Sequence, residues 1–223
     1  MSHLHSGTGV AARAGLAVAA GAGLAAGIEV ATYPLWRQWC RQWGATSGEA
    51  SEPLPGDDLL ADPGTVTTRA ITIQAPASLI WPWLVQLGPG RGGAYTYDWI
   101  ENLLGLDMHS ADQILPQYQD LKIGDAQHLG QNGPVLRVAA LEPECALVLR
   151  SDDGNWIWAF ALRRNGDGTR LISRNRIASA RTPLARAAAT YLMEPGSLVM
   201  ERKMLLGIKQ RAERLARAAK ISS

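Results

Sequence analysis

Between Gly124 and Ile177 the chain runs in short segments of alternating apolar and polar residues, and this period of two restricts the fold more than any other feature. Turn-forming residues punctuate it at Gly124, Gly130, Asn132-Gly133-Pro134, Asp153-Gly154 and Gly166-Asp167-Gly168. Breaks this short join antiparallel neighbours as hairpins. The expected strands are Ala126 to Leu129, Val135 to Leu141, Ala146 to Ser151, Asn155 to Arg163 and Thr169 to Ile177. In the fourth, Trp156, Trp158, Phe160 and Leu162 share one parity, so a single face of the sheet carries a wall of large rings.

The flanks read differently. Val66 to Ile73 alternates β-branched and polar residues as a half-buried strand does. Short helices are expected at Ser78 to Leu87, where Leu79, Trp83 and Leu87 share a face and Pro82 shortens or kinks the run, and at Tyr97 to Leu104. After Pro183 the pattern is helical, breaks at Glu194-Pro195-Gly196, and resumes from Ser197 as N-cap. Met200, Met204, Ile208, Ala212 and Leu215 then form one apolar stripe, with Lys203, Lys209, Gln210, Arg214 and Arg217 opposite. The fold class is therefore α+β.

Residues 1–43 are expected to hold a hydrophobic helix, residues 44–64 a linker rich in Ser, Glu, Pro and Gly, and residues 65–223 the main domain. Ala14 to Ile28 is an unbroken apolar run of fifteen residues. A membrane span needs roughly 17–25, a length reached only if residues 10–36 are taken together. Three readings stay open: a membrane anchor with Trp36, Trp39 and Trp43 at the interface, a secretory signal, or a helix packed on the domain. If it spans, Arg37 and Arg41 place the domain in the cytoplasm; otherwise the protein is expected to be cytoplasmic without an anchor.

A hydrophobic content of 47% with 19% charged residues is that of a globular protein. The net charge of +2 lacks the strongly basic footprint of a nucleic-acid binder, so no nucleic-acid partner is expected. Eight Trp against one Phe is an unusual ratio. Each indole brings an N–H that needs a partner when buried, which suits a pocket wall as well as a core. Cys40 and Cys145 lie in unrelated contexts and read as free thiols.

The segment Arg91 to Asn102, RGGAYTYDWIEN, concentrates the candidate chemistry. Its neighbouring glycines formally satisfy G-x-G-x-x-G, but they follow a helical segment and precede hairpins, so the dinucleotide fingerprint is rejected and no cofactor is expected. Asp98 and Glu101 stand one helical turn apart. A carboxylate raised in pKa by an apolar pocket can serve as a general acid or base, whereas the structural alternative has Asp98 or Thr96 capping the helix and Glu101 paired with Arg91 or in water. Tyr97, Asp98 and His109 are the catalytic candidates, and whether any reaction is catalysed stays open. No metal-ligand spacing links His109 or His128 to a second ligand. Arg170, Arg174 and Arg176 alternate on one strand face, toward solvent or an anionic ligand.

The element order resembles the helix-grip fold of the START-like (SRPBCC) superfamily, which includes polyketide cyclase/dehydrase-like and lipid-transfer proteins. The segments LPGDDLLADP, TTRAITIQAP, IWPWLVQLGPGRGGAYTYDWIENLLGLDMHSADQILP and MERKMLLGIKQRAE look like a bacterial branch of it in which a hydrophobic N-terminal helix precedes the domain. The resemblance implies a curved sheet around the long C-terminal helix with an apolar cavity between them. Its wall would comprise Trp156, Trp158, Phe160, Met200, Met204 and Ile208, and its mouth Trp83, Arg91, Tyr95, Tyr97, Asp98 and Glu101. The ligand implied is a hydrophobic small molecule, a lipid, isoprenoid or polyketide, bound without chemistry; the alternative is a cyclase or dehydratase working from the cavity mouth.

Overall fold

A computed structural model describes residues 32–103, 105–129 and 133–221 of the chain. The expected apolar helix over Ala14 to Ile28 lies outside the described residues. Among the described residues no helix is long and apolar enough to cross a membrane. The chain forms two compact units, Met1–Trp39 and Cys40–Ser223. Of the first, residues 32–39 are helical, and Tyr33 meets Trp36 edge to face at 4.6 Å.

The second unit is built on a curved six-stranded antiparallel sheet, β1 Thr65–Ile73, β2 Ala126–His128, β3 Val135–Glu142, β4 Ala146–Ser151, β5 Trp156–Asn165 and β6 Gly168–Ile177. The order across the sheet is β1-β6-β5-β4-β3-β2, so every pairing except β1 with β6 is between consecutive strands. The β4–β5 and β5–β6 hairpins turn at Asp153-Gly154 and Gly166-Asp167-Gly168 as expected, whereas β3 and β4 are joined through Pro143-Glu144, a turn without glycine or asparagine in which Glu144 is left-handed at φ 62°; β3 is bulged between Val138 and Ala140. The helices are α1 Ser47–Ser51, α2 Ala77–Val85, α3 Asp98–Leu103, α4 Pro183–Ala188 and α5 Glu194–Ile221. This is a helix-grip architecture: α5 buries Leu198, Met204, Leu205, Ile208, Ala212 and Ala216 toward the sheet.

The expected break at 194–196 does not occur. A wider π turn at Ala189–Met193 joins α4 to α5 and leads into Pro195. Widening before a proline relieves the clash between its ring and the preceding turn, and spares a hydrogen bond that proline cannot donate. Ser197 is consequently not a cap; its hydroxyl donates to the Glu194 carbonyl at 2.8 Å and accepts from Arg69 Nη2 at 3.0 Å.

Residues 44–61, read from composition as a linker, lie across the outer face of the sheet. Thr46 and Glu49 close a capping box around α1, and Leu54 packs with Ala70, Ala161 and Ile172. The arginines alternating on β6 hold this strap in place. Arg174 donates to the carbonyls of Glu49, Ala50 and Glu52 and to Asp57 Oδ2 at 2.6 Å, Arg170 chelates Glu49, and Arg176 reaches the carbonyls of Leu60 and Ala61. Their guanidinium groups are thus engaged by the strap.

Candidate functional site

The inner face of β5 carries the expected aromatic ladder. Trp156 and Trp158 stack at 5.8 Å with planes 18° apart, and Trp158 meets Phe160 at 4.9 Å. Neighbouring β6 supplies the polar partners by register, because Trp158 pairs with Asn175 and Phe160 with Ser173. Trp156 Nε1 donates to Asn175 Oδ1 at 2.9 Å, and Trp158 Nε1 donates to Ser173 Oγ at 3.0 Å. Fixed in this way, the rings present π faces while their N–H groups are satisfied.

Beneath α5 this ladder leads into a buried ionic network that sequence reading missed. Arg69, fully buried on β1, pairs with the Glu201 carboxylate of α5 and donates Nε to the Cys40 carbonyl at 3.1 Å. Asn175 Nδ2 donates to both Glu201 oxygens, at 3.3 and 3.2 Å. Burial pushes the Glu201 carboxyl above its ordinary value, against the pull of the Arg69 guanidinium. One signal was available: Glu201 follows Met200 on the apolar side of α5, where an unpaired charge would be costly.

The candidate cavity wall divides in two. Phe160, Met204 and Ile208 are fully buried members of one core cluster with Ile73, Ile80, Leu136, Leu149 and Leu171, so there the sheet and helix meet in packed contact. Trp156, Trp158 and Met200 are half-buried. Accessible aromatic surface is therefore confined to the Trp156 end of the ladder.

The loop from Gly88 to Asp112 is pinned from several directions. Gln86, fully buried, donates to the Gln113 carbonyl and accepts from the Leu115 amide. Gly93 has φ 72° and an added Cβ would lie 2.7 Å from Ser110 Cα, so two loop segments cross here only because a side chain is missing. Tyr95 is buried in the left-handed region at φ 58°, its hydroxyl donating to the Trp83 carbonyl at 3.0 Å, and burial raises its pKa. Trp83 meets Tyr95 edge to face at 5.8 Å. Arg91 donates to the carbonyls of Val85 and Tyr118 and stacks on the Tyr118 ring at 4.7 Å instead of pairing with Glu101; burial lowers its pKa.

The three catalytic candidates do not converge. Asp98 accepts from the Ser110 amide at 2.8 Å and hydroxyl at 2.6 Å, tying the start of α3 to the loop. His109 is 78% exposed beside Asp107, and Tyr97 lies under the Lys203 ammonium at 5.5 Å. Glu101, by contrast, is buried, and its Oε2 has no hydrogen-bond partner among the described residues. Burial raises its pKa, the Asp98 carboxylate adds to the rise, and the neighbouring Thr96 hydroxyl opposes it.

A concavity of about 190 Å³ opens between α5 and this loop, lined by Tyr95, Thr96, Ser110 and Asp112 on the loop and by Lys203, Gly207, Gln210, Arg211 and Arg214 on the helix. Its lining is polar and cationic, unlike the apolar receptacle expected from the sequence.

No family model matches the chain, and no curated protein matches it. Solved structures similar to it include the Aha1 dimer from Colwellia psychrerythraea, 14% identical with a TM-score of 0.39 over 67% of this chain and 96% of that one. An AHSA1-like protein from Aeromonas hydrophila is 14% identical over 68% and 94% of the two chains, with a TM-score of 0.38. A Polyketide_cyc-like protein from Corynebacterium glutamicum is 14% identical over 70% and 92%, with a TM-score of 0.34. The helix-grip architecture rests on this chain's own strand order and on the position of α5.

Proposed function

We propose that the chain is a binding module for an apolar small molecule, of lipid, isoprenoid or polyketide type, which lies against the Trp156–Trp158 pair and leaves unchanged. The observation that carries this reading is the half-buried, stacked indole pair whose N–H groups are already bonded to Asn175 and Ser173. A pair so oriented offers rigid apolar surface at little entropic cost, and half-buried Met200 adds an adaptable thioether on α5. Binding without chemistry is supported by the engagement of Asp98 with Ser110 and the solvation of His109.

The test is titration of the full chain with cis-parinaric acid, following energy transfer from tryptophan. One saturable equivalent is expected, weakened tenfold or more in Trp158→Ala and less in Trp158→Phe, which keeps a ring. Binding that is unsaturable, or indifferent to both substitutions, overturns the reading.

One observation favours a second reading, an acid–base enzyme of the cyclase or dehydratase type. Glu101 is a buried carboxyl held above its ordinary pKa with a free oxygen, the state a general acid requires. Turnover of a polyketide-like substrate that is lost in Glu101→Gln while binding persists would select this reading; unchanged turnover in that variant removes it.

A further inference from the structure

Two costly features meet at the cationic concavity. Gly207 sits in the interior of a 28-residue helix, where glycine is less favourable than alanine. Tyr95 holds a left-handed backbone that a bulky residue rarely adopts. Each explains the other: a Cβ at Gly207 would stand 2.5 Å from the Tyr95 carbonyl oxygen and 2.8 Å from its Cβ. The loop is thus pressed onto α5 at a position where the helix has no side chain. Strained backbone of this kind concentrates at sites that bind something.

The charges around that contact are unbalanced. Lys203, Arg211 and Arg214 line the concavity against one acid, Asp112, whose side chain is 76% exposed. Arg211 is held in place by the carbonyls of Ala111 and Gly207 and by Asp112, and Arg214 donates to the Asp112 carbonyl at 2.6 Å. Among the described residues Lys203 has no carboxylate partner; its ammonium rests on the Tyr97 ring. The Thr96 hydroxyl lies at the edge of the same space, beside the Glu101 carboxyl.

From these observations we infer that the concavity between α5 and the Tyr95–Asp112 loop binds a phosphate group. Two oriented guanidinium groups and one ammonium without a carboxylate partner form a cationic donor set for a tetrahedral oxyanion. At about 190 Å³ the space suits a phosphate and its nearest waters, and falls short of the roughly 300 Å³ at which drug-sized ligand pockets begin. This inference is independent of the aromatic site, which uses different residues.

The phosphate belongs to a soluble anion or to a lipid headgroup, and two probes separate these sources. The full chain is titrated calorimetrically at constant ionic strength with inorganic phosphate and with dihexanoyl phosphatidic acid below its micellar concentration; dihexanoylglycerol is the control without phosphate. Saturable binding of a phosphate probe, weakened tenfold or more in Lys203→Gln and in Arg214→Gln, is expected. Phosphatidic acid binding at least tenfold tighter than inorganic phosphate assigns a lipid headgroup, and comparable affinities assign a soluble anion. In amide NMR spectra of the unsubstituted chain, phosphate should shift Thr96, Ser110 and Gly207, a readout that does not depend on how the variants fold. Absence of saturation above the effect of chloride, equal response to dihexanoylglycerol, unchanged affinity in both variants, or shifts elsewhere overturns the inference.

Discussion

The two faces of the sheet both bury arginine, and they satisfy it in opposite ways. On the inner face Arg69 meets the Glu201 carboxylate under α5, with both groups almost wholly removed from water. On the outer face Arg174, only 3% exposed, spends most of its donors on three backbone carbonyls of the strap and shares one bond with Asp57. The first arrangement concentrates opposite charges where desolvation is expensive, so much of its worth appears only when one partner is removed. The second disperses one charge over carbonyl dipoles and lets an irregular segment, with few backbone partners of its own, cover a sheet face. The helix face answers its arginine with one carboxylate, whereas the strap adds backbone carbonyls to the carboxylates of Glu49 and Asp57.

The largest effect expected from breaking this contrast is on the inner face. Glu201→Leu leaves Arg69 buried without its carboxylate and should cost about 3–5 kcal/mol in urea unfolding, whereas the double variant Arg69→Met with Glu201→Leu should recover most of that loss. If the double variant is no better than the single one, the network contributes more than charge compensation.

Next in size, Arg174→Met on the outer face should cost about 2–3 kcal/mol, since hydrogen bonds to a charged group contribute about 1.5–3 kcal/mol and several are lost against one retained apolar stem. Hydrogen exchange should locate the loss in residues 44–61 and leave the amides of α5 protected. Uniform loss of protection would mean that the strap and the core unfold together.

The smallest effect sharpens the comparison through pH. Hydrogen bonding to Arg170 holds the Glu49 carboxyl below its usual value. A depressed carboxylate stabilises the fold above its unfolded pKa, near 4.3, and that contribution disappears as pH falls through the folded pKa. Glu201, raised by burial, has the opposite sign: its contribution is present below the unfolded value and is lost as pH climbs toward the folded one. Glu49→Gln should therefore cost about 0.5–1 kcal/mol at pH 6 and nothing near pH 3. A difference between wild type and variant that grows on acidification would contradict the assignment.

The strands were legible because alternation is local. Ala146–Ser151 was delimited to the residue, and the other strands shifted by one or two positions at their ends. The ring ladder followed from the same parity, since Trp156, Trp158 and Phe160 can only share a face. The strap was not legible: its arginine contacts join residues more than a hundred positions apart, and Arg170, Arg174 and Arg176 read as a solvated face until residues 44–61 cover them. The helix break was misread because Pro195 and Gly196 terminate helices locally, while a π turn and the packing of α5 carry the chain through.

Within the candidate site, residue type and spacing indicated that Tyr95, Asp98 and Glu101 matter, but their roles depended on neighbours distant in sequence. Ser110 decides that Asp98 is an anchor, burial decides that Glu101 has a raised pKa, and Gly207 decides where the loop meets the helix.

By itself the amino-acid order determined the strands, the long helix and the face each ring occupies. These are set by side-chain period and backbone freedom, which act over a few residues. The three-dimensional packing alone decided which arginines are buried, which carboxylates they meet, and that the apolar wall is closed at Phe160 and open at Trp156. Burial and electrostatic pairing depend on what the rest of the chain brings alongside, and no window of sequence contains that information.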